Sequence, residues 1–92
     1  MGEDYYRDLG ERLLKLGFEP GQGDLLPDCR EPSTLGRLMA RVREVWGDEN
    51  AFCDPRGGWH VCVSSAGPLH GHDLEFEGET EAEAWVSAWE AN

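Results

Sequence analysis

No lysine or arginine follows Arg56, although the 92-residue chain carries 19 acidic side chains against 8 basic ones and a net charge of −11. That deficit of positive charge argues against direct nucleic-acid binding and against an anionic membrane, because both draw on Lys and Arg to neutralise phosphates. No apolar run approaches the roughly 18 residues of a membrane-spanning helix. The opening MGEDYYRDLG lacks the plan of a signal peptide, and Tyr6 stands where a myristoylation signal has Ser or Thr. Cysteine is sparse: Cys29, Cys53 and Cys62 form an odd set without framework spacing, which suits a reducing compartment.

Catalytic and cofactor signatures are missing as well. The GQG at 21–23 is not followed by the Lys-Ser/Thr of a phosphate loop, and VSSAG lacks nucleophile-elbow spacing. His60, Cys62, Cys53, His70 and His72 are the side chains that could approach a zinc ion. The closely paired Cys or His units of structural zinc sites are absent, so no metal is expected. Cys53 and Cys62 could meet across a hairpin, but strand neighbours often fail disulfide geometry, and free thiols are expected. His70, His72 and Asp73 share one loop and could form an acid–base site, although solvated loop histidines are the plainer explanation. No enzyme activity and no cofactor are expected.

What is present describes a single domain over 1–92. Tyr5, Tyr6, Leu9, Leu13 and Leu16 fall at helical spacing ahead of Gly17, predicting an amphipathic helix over 4–16. Residues 18–32 hold three prolines and two glycines and form a long connection, with Leu25 and Leu26 expected to pin it. Ser33 or Thr34 caps a second helix in which Leu35, Leu38, Met39, Val42, Val45 and Trp46 repeat until Gly47. NAFC and GWHVCVSS flank the turn-forming DPRGG, predicting a hairpin with Trp59, Val61 and Val63 on one side and His60, Cys62 and Ser64 on the other. DLEFE is a third strand with Leu74 and Phe76 inward, and Thr80 with Glu83 opens a last helix whose apolar stripe is Ala82, Trp85, Val86 and Trp89. The order α-α-β-β-β-α indicates an α+β domain, a three-stranded antiparallel sheet packed by helices. Four tryptophans, each able to bury about 200 Å², supply the core or part of a dimer contact. If Trp59 is buried, Trp59→Ala should cost about 3–5 kcal/mol.

These pieces together resemble the phage ABA sandwich family: LGERLLKLGF before a proline-rich connection, LLPDC and STLGRLMARV, the strand GGWHVCV, and the closing GETEAEAWVSAW. The closing helix departs from the expected pattern in carrying Trp85 and Trp89 instead of smaller residues. The resemblance implies a bacteriophage or prophage origin, a place in the host cytoplasm and an α/β/α sandwich-like layering. It brings no catalytic residues. With the composition, it points to a small inhibitor of a host defence or nucleic-acid-handling protein, or to a phage structural or housekeeping protein.

Two charged groupings are candidate sites. Asp73, Glu75, Glu77, Glu79 and Glu81, followed by Glu83, place a carboxylate at every second position. The plain explanation joins the solvent side of a strand to the first turn of a helix, where the macrodipole favours anions by about 0.3–1 kcal/mol each. The functional one is a docking face for a protein with a basic surface. Outward strand residues lie about 6.8 Å apart, against one duplex charge per ~1.7 Å, so the comb alone is too sparse to imitate DNA. Arg30, Arg37, Arg41 and Arg43 form the basic cluster, which either neutralises nearby acids or makes an anion pocket for a nucleotide.

Overall fold

Six elements follow the predicted order in the computed structural model, which describes residues 2–67 and 71–92: α1 (Glu3–Lys15), α2 (Pro32–Trp46), β1 (Phe52–Asp54), β2 (Trp59–Val63), β3 (Leu74–Gly78) and α3 (Glu81–Glu90). Glycine ends the first helix as the sequence indicates. Gly17 adopts φ 89°, and the Gly17 and Phe18 amides donate to the carbonyls of Leu14 and Leu13, satisfying groups the helix leaves open. The start of α2 differs from expectation. Glu31 is its N-cap, Pro32 occupies the first turn, and Thr34 is buried instead of capping. Proline fits there because its missing N–H would have had no helical partner.

The connection between α1 and α2 is pinned by Pro27 and Cys29, both buried, whereas Leu25 is 92% exposed. Gly10 makes this possible: a Cβ built there would stand 2.7 Å from the Pro27 carbonyl oxygen.

The sheet runs β1-β2-β3, both pairs antiparallel. Val61 and Val63 are fully buried on its inner face, with Trp59, Leu74, Phe76 and Cys53 packed partly around them. On this face lies α3, which contacts all three strands and also α1 and α2. The layers are therefore sheet, α3, then α1 with α2, and no described helix covers the outer sheet face. This departs from the helix–sheet–helix layering that the resemblance implies. The cause is the alternation of β3: Glu75 and Glu77 occupy the positions a second helix would have to desolvate. Being enclosed from both sides, α3 buries Ala82, Ala84, Trp85, Val86, Ala88 and Trp89, more than the single stripe predicted from its sequence. Trp85 and Trp89 are thus core residues with little surface left for a dimer contact.

Entry into α3 is tightly specified. The Thr80 hydroxyl accepts from the Glu83 amide (3.2 Å), while Glu83 Oε1 accepts from the Glu79 amide (2.7 Å), one residue earlier than a standard capping box. The Tyr5 hydroxyl bridges Thr80 Oγ1 (2.8 Å) and Glu83 Oε1 (3.1 Å), and burial above all pushes this phenol up to about 12. At the other end, Arg12 of α1 grips Glu90 through two hydrogen bonds, 3.0 and 2.6 Å, which hold that carboxyl below its usual range.

Gly78 lets the strand run directly under the helix. A Cβ at this position would lie 2.7 Å from the Glu83 carbonyl carbon and 2.8 Å from its Cβ, and helix backbone cannot yield as a side-chain tip can. Gly78→Ala should therefore cost about 1–3 kcal/mol, the range for overpacking. A urea unfolding midpoint equal to the parent's would contradict that close approach.

Candidate functional site

Strand register assembles the outer face. Phe52 lies opposite Cys62, Asp54 opposite His60, His60 opposite Glu77, and Cys62 opposite Glu75. The DPRGG turn sends Arg56 back over this face, where its guanidinium meets Asp54 (2.7 Å) and Glu75 Oε2 (3.0 Å). His60 Nε2 lies 2.8 Å from the Arg56 carbonyl oxygen, and Nδ1 lies 2.7 Å from Glu75 Oε1 and 3.6 Å from Glu77 Oε1. Phe52 is 42% exposed and meets the His72 ring edge-on at 5.0 Å. It is the aromatic contribution to this surface, since the tryptophans point inward or are half-covered.

The comb divides into three parts. Asp73 accepts from the Ser65 amide (2.8 Å) and hydroxyl (2.5 Å), latching the β2–β3 connection. Glu75 and Glu77 stand on the outer face, Glu75 held by Arg56 and Glu77 with its side chain 78% exposed. Glu79 and Glu81 sit at the start of α3, and among the described residues neither carboxylate has an ion-pair partner. Glu77, Glu79 and Glu83 share with His60 and Gly57–Gly58 an open cleft of about 330 Å³.

The arginines do not converge. Arg30 is bound to Asp28 (2.9 Å) and covers the Tyr6 ring. Arg37 donates to the Glu19 carbonyl and covers Phe18, while Arg41 pairs with Glu44 (2.6 Å) and covers Trp89. Arg43 donates to the Ala51 carbonyl (2.9 Å) and covers Trp85. Each covers an aromatic ring and is held by a nearby oxygen, engagements that a shared anion pocket would have to replace.

Cys53 and Cys62 point to opposite faces because Cys53 pairs with Val61 and Cys62 with Phe52, and all three thiols are free. Burial pushes Cys29 and Cys53 up to about 11 and raises Cys62 too, leaving them poor nucleophiles at neutral pH. In the loop triplet, His72 is drawn to Asp48 (3.4 Å) and Asp73 to Ser65, while His70 lies outside the described residues.

Sequence reasoning missed two features. One is Asp48, fully buried after α2, which accepts from the Asn50 amide (3.0 Å) and the Ser64 amide (2.9 Å). The other is the meeting of His60 with Glu75 and Glu77. Alternation put all three on outer faces, but only the β2–β3 register shows that they touch. Compared with known proteins, the chain matches no family model, no curated protein and no solved structure.

Proposed function

We propose that this chain is a non-catalytic binding protein whose outer sheet face and adjoining α3 N-terminus dock on a basic surface of another protein. The observation that carries this reading is the contrast in how charge is spent. The helix-borne arginines are occupied with aromatic residues and local oxygens, whereas Glu77, Glu79 and Glu81 are left to project a negative field from a surface that also exposes Phe52. Such a field speeds encounter with a positive partner, while a few desolvated apolar contacts carry affinity. The resemblance to the phage ABA sandwich family extends the proposal to a phage protein acting in the host cytoplasm as inhibitor of a defence or nucleic-acid-handling protein. The nucleotide-sponge alternative needs Arg30, Arg37, Arg41 and Arg43 to share a ligand, and their separate engagements give it less support.

The test is kinetic. A partner captured from bacterial lysate should associate about tenfold or more slowly with a Glu77→Lys, Glu79→Lys, Glu81→Lys chain, within the range by which steering alters on-rates. Added salt should slow the parent's association in the same way, because a Debye length of about 8 Å at physiological ionic strength screens exposed charges. The dissociation rate should change little. Binding indifferent to the reversals but abolished by Arg37→Ala and Arg41→Ala would replace the docking face with the arginine site.

A further inference from the structure

We propose that the outer sheet face holds one divalent first-row transition-metal ion, ligated by His60 Nδ1, Glu75 Oε1 and a Glu77 carboxylate oxygen. These three side chains each bring a ligand atom within 4.8 Å of the others. Bonds of about 2.0–2.1 Å at tetrahedral to octahedral angles place neighbouring ligand atoms about 2.9–3.4 Å apart. The Nδ1 separations from the Glu75 and Glu77 oxygens, 2.7 and 3.6 Å, bracket that range.

A second observation concerns the imidazole itself. Its Nε2 faces the Arg56 carbonyl, an acceptor only, so Nε2 carries a proton and Nδ1 is the atom left for a ligand. Nδ1 is cut off from solvent and makes no well-formed hydrogen bond, even with Glu75 Oε1 2.7 Å away. A ring nitrogen and a carboxylate oxygen at that distance require positive charge between or beside them: a second ring proton supplies it in the metal-free chain, and an ion bound by both atoms supplies it in the loaded one.

Arg56 orients two of the three ligands. Its carbonyl fixes the His60 ring, and its guanidinium holds Glu75 Oε2, leaving Oε1 turned toward His60. This is the outer-shell arrangement that metal sites use to hold their ligands. One imidazole with two carboxylates suits Zn²⁺, Mn²⁺, Fe²⁺ or Co²⁺ better than Mg²⁺ or Ca²⁺, which favour all-oxygen sets. The cleft beside Glu77 leaves room for water at the remaining positions. The site goes beyond the docking proposal and is tested without any protein partner.

The experiment titrates Zn²⁺ and, separately, Co²⁺ into the full chain at physiological salt, read by calorimetry and by Co²⁺ absorption. One ion per chain is expected. His60→Ala should weaken binding by roughly 100-fold or more, since losing even an outer-shell partner costs about 10–100-fold. Glu77→Gln should weaken it clearly while leaving circular dichroism unchanged, because that side chain is mostly exposed and keeps the test valid if His60→Ala unfolds. Cys62→Ser should bind as the parent does. Several weak ions unaffected by His60→Ala or Glu77→Gln, no binding at all, or a Co²⁺ thiolate band lost in Cys62→Ser would each overturn the proposal.

Discussion

Replacing Trp85 with alanine should lower stability by about 3–5 kcal/mol, a large part of the about 5–15 kcal/mol that holds a typical domain together. Trp85 is fully buried in α3, the element enclosed between the sheet and the other two helices, and the Arg43 guanidinium lies 5.6 Å from its ring centroid. Its removal would leave a cavity at the junction of the layers, where no single element can relax inward. The indole N–H is buried and has no hydrogen-bond partner among the described residues. Trp85→Phe removes that unsatisfied donor and should therefore cost markedly less than Trp85→Ala. Urea unfolding followed by far-ultraviolet circular dichroism checks both, since tryptophan fluorescence changes with the substitution itself. Trp59→Ala should fall below the 3–5 kcal/mol expected for a buried tryptophan, because Trp59 is only half-buried at the edge of the core. Equal losses at the two positions would mean that α3 is not the centre of the packing.

This difference between Trp59 and Trp85 shows where the sequence was informative. Local chemistry was legible: Gly17 and Gly47 end helices, Thr80 with Glu83 starts one, and alternation assigns Val61, Val63, Leu74 and Phe76 to one side of a sheet. How many sides of an element become buried was not. The stripe of α3 reads as ordinary amphipathicity, and alanines at 84 and 88 look neutral until helices pack against them as well. Leu25 was expected inside on hydrophobicity alone, yet a proline and a cysteine two and four residues later take the interior positions.

The candidate site was legible in the same partial way. Strand alternation placed Glu75 and Glu77 outward, and His60 outward, from each strand separately. Their contact depends on register, which pairs positions far apart in the chain and is settled by turn length and core fit together. The contacts of the arginine cluster were hidden for the converse reason. Arg37 and Arg41 do share a helix face, and that face covers the Phe18–Trp89 aromatic pair, a packing role that spacing within one helix does not reveal.

Asp48→Ala should cost about 2–4 kcal/mol, although nothing in the sequence around GDEN distinguishes this acid from its neighbours. Its carboxylate is fully buried and accepts two backbone amides, from Asn50 at 3.0 Å and Ser64 at 2.9 Å. Ser64 is itself fully buried, so its amide has no route to water once the acceptor is gone. Hydrogen bonds to a charged group contribute about 1.5–3 kcal/mol, and a buried donor left without a partner costs about 1–3 kcal/mol. Asp48 ties the turn after α2 to the end of β2, the strand that carries His60, so the loss should spread into the sheet. Asp48→Asn keeps one acceptor and should fall between parent and alanine, with its amide group set against the Ser64 N–H. Hydrogen exchange localises the effect: the Ser64 amide should exchange faster in Asp48→Ala, by more than its global stability loss at amides in α1. Uniform acceleration would instead mean that Asp48 acts only through overall stability, and an unchanged Ser64 amide would show that another acceptor takes its place.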